Sequence, residues 1–407
     1  MKYGNIIENG NVIDEVLVSY FKAPKSYTTE NMCEINSHGG NVVVKKILEL
    51  CLKNGAELAE PGEFTKRAFL NGRIDLLQAE SVIDVINAKS EREAKNGIKQ
   101  LEGFLSNEIA KIKQEIMDVM INIEVAIDYP EYDVDDVTSN QINEMLVTVE
   151  NKLVKLSKSF DNGKIIKEGI KTAIIGRPNA GKSSLLNAIL KEDRAIVTEY
   201  EGTTRDTIEE FVNINGIPLK LVDTAGIRDA KDEVEKIGIA KSKEIAKDAD
   251  LIIAIFDASK DLGKEDLEIL ELIKNKKAII LLNKTDLKEK INENDQKIKE
   301  TGATVIKISA LKREGIENLY DEITKMFDLN QINLDQETVI TNVRHKNLID
   351  QAIESTKKAK DTMEQKMPID IIAIFIKDIL ENLGKITGEI VTDDIIDEIF
   401  SKFCLGK

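Results

Sequence analysis

The chain has 407 residues, and at roughly 150 residues per domain this length predicts two or three domains. Hydrophobic residues make up 42% and charged residues 32%, which excludes a disordered, collagen-like or low-complexity protein. A net charge of -16 opposes long-range attraction of polyanions, so a nucleic-acid partner would need a local basic patch.

The cysteines, histidines and apolar runs exclude several other classes. Three cysteines and two histidines, far apart in sequence, form neither a disulfide framework nor a zinc-ligand spacing. The longest apolar run, 369–376, is far shorter than the ~18 residues of a membrane span, and the first residues lack a signal core. We therefore expect a cytoplasmic protein with no membrane segment.

The sequence of the first half of the chain predicts an α/β segment followed by a helical segment. Residues 1–73 mix short β-like runs with a helix that ends at Asn54-Gly55, which predicts a small α/β N-terminal domain. Residues 74–167 carry apolar residues at helical spacing, and Asp128-Tyr129-Pro130 predicts a break between two long helices.

The second half returns from a sheet to helices. Residues 168–327 alternate short aliphatic runs with helical segments, which predicts an α/β domain. Asn215-Gly216 predicts a hairpin and thus one antiparallel edge strand. Residues 328–407 are helical again. Because neither helical stretch alone offers much core, the sequence predicts one discontinuous all-α domain with the α/β domain inserted into it.

A glycine-rich motif follows the first strand of the α/β domain. The run from Gly176 to Ser183 has the pattern G-x-x-x-x-G-K-S between an aliphatic strand and a helix. Its glycines let backbone N–H groups surround phosphates, Lys182 neutralises the outer phosphates, and the Ser183 hydroxyl can bind Mg²⁺. A glycine turn can give this pattern by chance, but the strand and helix around it favour a P-loop.

Further motifs follow later strands in the order of a GTP-binding protein. Asp223-Thr224-Ala225-Gly226 can hold the Mg²⁺ shell and contact the γ-phosphate. In Asn283-Lys284-Thr285-Asp286, the Asp accepts two hydrogen bonds from the N1 and N2 edge of guanine, which adenine cannot donate. Ser309-Ala310-Leu311 would lie under the base. The sequence therefore predicts a Ras-like P-loop GTPase domain.

The hydrolytic residues are less evident from these motifs. The position that holds a water-orienting Gln in many small GTPases is Ile227, which cannot form a hydrogen bond through its side chain. Arg177, Arg205 and Arg228 are near in sequence, but none is an obvious arginine finger. In the polar loop around Gly202–Asp206, Thr204 can complete the Mg²⁺ shell and carbonyl groups can surround a monovalent cation.

Several sequence blocks resemble one family, the bacterial tRNA modification GTPases called MnmE or TrmE. The blocks are Gly-Arg-Pro-Asn-Ala-Gly-Lys-Ser-Ser at 176–184, Gly-Thr-Thr-Arg-Asp at 202–206, Asp-Thr-Ala-Gly-Ile-Arg at 223–228, the Pro-Gly-Glu-Phe block at 61–76, and Phe-Cys-Leu-Gly-Lys at 403–407. The terminal and Pro-Gly-Glu-Phe blocks separate this family from other P-loop GTPases. The resemblance extends over the whole chain.

The resemblance implies metal ligands and catalytic residues. It implies that Mg²⁺ is bound by Ser183 and Thr204 and that K⁺ stands in place of an arginine finger. Glu235 matches the acid that orients the attacking water through a bridging water, although from sequence alone it would be an exposed helix-start carboxylate. The predicted K⁺ ligands are Asn179, Thr198, Tyr200 and Thr203, and the predicted catalytic residues are Glu235, Lys182 and Thr204.

The predicted GTP-binding residues come from the motifs and from the family match together. They are Asn179, Ala180, Gly181, Lys182, Ser183, Ser184, Thr198, Glu199, Tyr200, Glu201, Gly202, Thr203, Thr204, Asp223, Thr224, Ala225, Gly226, Asn283, Lys284, Asp286, Ser309, Ala310 and Leu311.

The resemblance also implies a folate site and partners. Glu34, Arg73 and Lys407 match positions that bind formyltetrahydrofolate. The family forms homodimers and works with an FAD-dependent protein of the glucose-inhibited division family, MnmG or GidA, in 5-carboxymethylaminomethyl-type modification of the wobble uridine of tRNA. Family members carry a few dozen residues before the position of Met1. We therefore expect weak folate binding and poor dimerisation through the small domain.

Two alternative classes lack support in the sequence. A ribosome-assembly GTPase of the Era or Der kind would show a KH-like Gly-x-x-Gly domain or a second P-loop, and a dynamin-type GTPase would show a membrane-binding patch; the sequence shows none of these. Cys404 is a reactive thiol or an ordinary small residue, and a prenylation box is excluded because Gly406 and Lys407 do not suit it.

Overall fold

The computed structural model describes residues 1–128, 135–192, 210–214, 217–221, 246–291, 293–327, 339–404 and 406. The described chain forms two compact units. One consists of Met1–Ile86, Gly97–Lys155 and Arg344–Lys407, and the other of Asn87–Asn96 and Leu156–Val343. No helix in the described ranges combines the length and the apolar character that crossing a membrane requires.

The described elements are numbered here in chain order. The strands are β1 (Lys2–Glu8), β2 (Asn11–Phe21), β3 (Met32–Asn36), β4 (Ile170–Ile175), β5 (Glu210–Ile214), β6 (Ile217–Leu221), β7 (Leu251–Asp257), β8 (Ala278–Asn283) and β9 (Thr304–Lys307). The helices are α1 (Asn41–Lys53), α2 (Glu63–Leu70), α3 (Leu76–Ile86), α4 (Glu91–Leu101), α5 (Phe104–Asp128), α6 (Asp135–Glu168), α7 (Lys182–Glu192), α8 (Lys264–Ile273), α9 (Gln296–Lys299), α10 (Ile316–Met326), α11 (Val343–Glu364), α12 (Ile369–Thr387) and α13 (Asp393–Ser401).

The first unit begins with an antiparallel sheet in the order β1-β2-β3. Asn9 and Gly10 join its first two strands with φ values of 51° and 86°, the conformation that a tight hairpin turn requires and that these two residue types tolerate. Helix α1 ends as the sequence predicts, with Gly55 in the left-handed region at φ 95°. Residues 1–73 thus contain the short strands and the helix that the sequence predicts for this segment.

The helical core of the first unit lies along α5 and α12. Buried positions on α5 recur every three or four residues: Leu105, Ile109, Ile112, Ile116, Met120 and Ile123. This spacing places them on one face, and α12 packs against α5. Helix α5 ends at Asp128 and α6 begins at Asp135, and the predicted break at Tyr129-Pro130 lies outside the described residues. A second apolar cluster joins Ala68 of α2 to Phe400 of α13.

A buried ionic cluster ties three helices of this unit together. The carboxylate of Glu80 on α3 lies 2.6 Å from Nε2 of His345 and 2.8 Å from Nη2 of Arg344, both on α11. Arg344 also donates to the carbonyl oxygen of Lys385 on α12 at 2.8 Å. Burial raises the pKa of the Glu80 carboxyl, but the interactions with His345 and Arg344 outweigh burial and hold this pKa at about 2.

This cluster predicts a pH dependence of stability. The pKa of Glu80 in the folded state lies below its ordinary value of 4.5, so its stabilisation is present above about pH 5 and is lost as pH falls from 4.5 towards 2. We expect the free energy of unfolding of the first unit to decrease by up to about 3 kcal/mol over that range. Glu80→Gln should be less stable at pH 7 and should lose less on acidification. Urea unfolding at pH 7, 5, 4 and 3 measures both.

The exposed carboxyl of Glu102 in the same unit supplies the control. Glu102→Gln should follow the wild-type pH curve, because its side chain is solvated and removing one exposed charge changes little. If Glu80→Gln followed the wild-type curve as well, the cluster would not be a source of acid sensitivity.

The second unit is built on a six-stranded sheet in the order β5-β6-β4-β7-β8-β9. All neighbouring strands are parallel except β5, which pairs antiparallel with β6 at the edge and confirms the predicted antiparallel strand. Strands β7 and β8 are buried at every position, as expected when both faces are covered by helices. The carboxyl ends of β4, β7, β8 and β9 share one edge of the sheet, where ligands bind in folds of this kind.

The apolar core of the second unit includes residues on either side of the segment 168–327. Ile166 of α6 and Val339 belong to the same apolar core as Ile170 and Leu219 of the sheet. The reason is local: both segments bury apolar side chains under the sheet rather than in the helical core. The predicted domain limits remain a prediction.

Candidate functional site

The loop between β4 and α7 is shaped by two glycines that have no room for a side chain. A Cβ on Gly176 would lie 2.5 Å from the carbonyl oxygen of Ile255 in β7. Gly181 has a φ of 110°, and a Cβ there would lie 2.0 Å from Nδ2 of Asn283. The spacing G-x-x-x-x-G is therefore fixed by close contact with β7 at one end and with the end of β8 at the other.

Lys182 lies inside the curve of this loop. Its Nζ donates to the carbonyl oxygens of Gly176 at 2.8 Å and Arg177 at 3.1 Å. Helix α7 begins at Lys182, so the positive end of the helix and the ammonium group face the same place. Together they form a site for an anion such as a phosphate group.

Asn283 connects the phosphate loop to the loop after β9. Its side chain is 2% exposed. Its Nδ2 donates to the carbonyl oxygen of Ala180 at 2.8 Å, and its Oδ1 accepts from the backbone N of Ala310 at 3.0 Å. Buried polar groups hold a structure in place when every hydrogen bond is made, and this one joins three strand ends.

Two further side chains of the loop after β8 extend this network. Nζ of Lys284 donates to the carbonyl oxygen of Asn179 at 2.8 Å. Oγ of Ser309 donates to Oδ1 of Asp286 at 2.7 Å, which leaves the second carboxylate oxygen available for a base. These hydrogen bonds fix the loops after β8 and β9 and the phosphate loop to one another.

Asp257, at the end of β7, belongs to this network although its role was not predicted from the sequence. Its carboxylate is buried and accepts from Nζ of Lys284 and from Oγ of Ser259, at 2.8 and 2.6 Å. Burial raises the pKa of the Asp257 carboxyl, but the hydrogen bonds from Lys284 and Ser259 lower it by more than burial raises it. The pKa therefore lies below its ordinary value. The signal in the sequence that could have predicted this role is an acidic residue at the end of an otherwise apolar strand.

The structure brings together the predicted nucleotide-binding residues of three segments. They are Asn179, Ala180, Gly181, Lys182, Ser183 and Ser184, then Asn283, Lys284 and Asp286, and then Ser309, Ala310 and the exposed Leu311. The others lie outside the described residues: Thr198, Glu199, Tyr200, Glu201, Gly202, Thr203, Thr204, Asp223, Thr224, Ala225, Gly226 and Glu235.

A separate cavity of about 460 Å³ lies in the first unit. Thr28, Cys33, Glu63 and Arg67 are among the residues that line it. Of the predicted folate residues, Glu34 is exposed on β3 and follows Cys33, which lines the cavity. The guanidinium of Arg73 lies 4.4 Å from the centroid of the Tyr27 ring. Lys407 lies outside the described residues. The folate assignment remains a prediction.

A phosphate loop joined through Asn283 to a base loop that ends in Asp286 defines the class: a P-loop protein that binds guanine nucleotides. Comparison with known proteins defines it further. A family model described as MnmE helical domain matches residues 76–404, and one described as GTP-binding protein TrmE N-terminus matches residues 1–73.

Curated relatives match over the full length of the chain. The tRNA modification GTPase MnmE of Clostridioides difficile (strain 630) is 52% identical over 405 residues, covering 100% of this chain and 88% of that protein. That of Acetivibrio thermocellus is 50% identical over 411 residues, covering 100% and 89%. The chain belongs to the MnmE family of tRNA modification GTPases, which makes it an enzyme of the GTP hydrolase class.

Among solved structures, the G domain of the T. maritima FeoB iron transporter matches 39% of this chain and 98% of that one, at 26% identity. The TM-score of this match is 0.29.

The Asp286 geometry predicts how base preference can be changed. In Asp286→Asn, an amide oxygen can still accept from Ser309, while the amide NH₂ faces the base. GTP should bind at least about tenfold more weakly, and xanthosine triphosphate should gain, because xanthine has a carbonyl where guanine has an amine. Competition against a fluorescent guanine nucleotide measures both affinities.

Ser309→Ala is the matched control for this change, because it removes the hydrogen bond to Asp286 but leaves the carboxylate. It should weaken GTP binding without any gain for the xanthosine nucleotide. An equal loss for both nucleotides in Asp286→Asn would contradict base recognition by Asp286.

Proposed function

We propose that this chain binds GTP with Mg²⁺ and hydrolyses it with the help of K⁺, and that hydrolysis drives a conformational cycle in wobble-uridine modification of certain tRNAs. The observation that carries the nucleotide part is the hydrogen-bonded link through Asn283, which fixes the phosphate loop and the guanine loop in one arrangement. The tRNA part rests on membership of the family.

The residues present fit the two proposed cations. Ser183, the second residue of α7, carries a hydroxyl oxygen, and Asn179 in the phosphate loop carries an amide oxygen. Hard oxygen donors of this kind suit Mg²⁺ and K⁺. Ser183 and Thr204 would hold Mg²⁺; Asn179, Thr198, Tyr200 and Thr203 would hold K⁺. When bound, K⁺ supplies positive charge beside the phosphates, which an arginine finger supplies in other GTPases.

Asn179 is held in a defined position within the loop. Its φ of 61° lies in the left-handed region, which Asn tolerates better than most residues, and its carbonyl oxygen is fixed by Lys284. These two constraints support a role for its side chain as a ligand, because the amide group starts from a fixed backbone.

The proposed cation predicts a selective acceleration of hydrolysis. Steady-state GTPase rates should be higher in KCl than in NaCl at equal ionic strength, because oxygen ligands spaced for the larger ion coordinate the smaller one poorly. Asn179→Ala should abolish the difference while GTP affinity stays nearly unchanged. Equal rates of the wild type in both salts would remove K⁺ from the mechanism.

Asn179→Gly controls for backbone strain in this experiment, since it removes the amide oxygen and also relieves the positive φ. It should behave like Asn179→Ala. If only the alanine variant lost the K⁺ effect, strain in the loop rather than a lost ligand would be the cause.

Glu235 is proposed to orient the attacking water. Glu235→Ala should lower kcat by about 100-fold or more, the lower range for a positioned acid or base, with little change in GTP affinity. Single-turnover hydrolysis and nucleotide titration separate the two effects. A loss of affinity with an unchanged kcat would identify Glu235 as a structural residue.

The remaining proposals concern partners and arrangement. The net charge of -16 suggests that the flavoprotein partner of the glucose-inhibited division family contributes much of the surface that binds tRNA. Co-purification that identifies a flavoprotein tests this partner. Formyltetrahydrofolate binding, a homodimer and the insertion of the GTPase domain into the helical domain belong to the same proposal.

A further inference from the structure

Arg177, the residue after the first glycine of the phosphate loop, is paired with an acid on a different element. Its Nη1 lies 3.0 Å from Oδ2 of Asp266, which is in the first turn of α8 and is 0% exposed. The same oxygen accepts from the backbone N of Gly263 at 2.9 Å, which closes the start of the helix. The pair therefore connects the phosphate loop to the first turn of α8.

Burial makes this pair sensitive to the loss of either partner. A buried carboxylate that loses its cation is strongly destabilised, because neither water nor another charge replaces the lost interaction. Nη2 of Arg177 and Oδ1 of Asp266 are also buried and make no hydrogen bond to any described residue. Among the described residues, the contact between Nη1 and Oδ2 is therefore what holds the pair together.

The backbone of Arg177 faces the phosphate site. Its carbonyl oxygen accepts from Nζ of Lys182 at 3.1 Å and from the backbone N of Ala180 at 3.2 Å. Anchoring the side chain on α8 therefore fixes the carbonyl group that holds Lys182 and shapes the curve of the loop.

We propose that Asp266 is a positioning residue for the phosphate site: acting through Arg177, it holds the P-loop in its phosphate-binding form. The inference rests on the proposed GTP binding and extends it to a residue outside the four sequence motifs. It also assigns Arg177 the role of an anchor, so that its guanidinium does not act as an arginine finger.

A double-mutant cycle in the full chain tests the proposal. Asp266→Asn keeps the volume of the side chain and an acceptor for Gly263 but removes the charge, and Arg177→Ala removes the partner. Each should weaken binding of GDP and GTP about tenfold, and the double variant should bind no more weakly than the weaker single variant. At saturating GTP the hydrolysis rate should stay within about twofold of the wild type.

Two further variants separate positioning from general damage. Glu265→Gln changes an exposed charge beside Asp266 on the same helix turn, and it should leave nucleotide affinity unchanged. Arg177→Lys keeps a cation for Asp266 but loses the planar group, so its affinity should lie between those of the wild type and Arg177→Ala.

The outcomes that would overturn the proposal are distinct. Additive losses in the double variant would show that Asp266 does not act through Arg177, and an affinity of Arg177→Lys as low as that of Arg177→Ala would show that the ion pair is not what matters. A fall of about 100-fold in the hydrolysis rate with unchanged affinity would identify Arg177 as an arginine finger. Failure of the wild type to bind any guanine nucleotide would instead contradict the proposed function.

Discussion

The second unit depends on the pair of hydrogen bonds made by the side chain of Asn283. One bond holds the phosphate loop at Ala180 and the other holds the loop after β9 at Ala310, so that a single buried amide sets the distance between phosphate and base. Gly181 lies directly against this amide, and the absence of a side chain there follows from the same contact. The phosphate loop and the loop that contacts the base are thus held in one arrangement by the same side chain.

Around this centre, one acid at the end of β7 and one in the first turn of α8 hold basic residues of the site. Asp257 holds Lys284, whose ammonium also reaches the phosphate loop at Asn179, and Asp266 holds Arg177. The cationic side chains of the site are therefore positioned by neighbouring carboxylates and not by the nucleotide alone.

The sequence predicts much of this arrangement because its main signals are local. The aliphatic runs mark the strands, and the motifs at their ends predict the phosphate and base loops. The roles of Asp257 and Asp266 could not be predicted, since each depends on a partner distant in sequence: Lys284 for one and Arg177 for the other. For the same reason the cluster of Glu80, Arg344 and His345 could not be predicted, because Glu80 lies more than 260 residues from the other two. Residues 198–204, 223–226 and 235 keep the status of predictions.

The close contact between Gly163 and Ile340 has a consequence for chain entropy. A Cβ on Gly163 would lie 1.9 Å from the carbonyl oxygen of Ile340, and the backbone N of Ile340 donates to Oγ of Ser159 at 3.2 Å. These contacts therefore hold the segment 159–163 and residue 340 of the second unit next to each other. Once this segment is folded, the chain before Leu156 and the chain after Val343 behave as if joined by a short connection instead of a long loop, and the entropy of closing that loop no longer opposes their association.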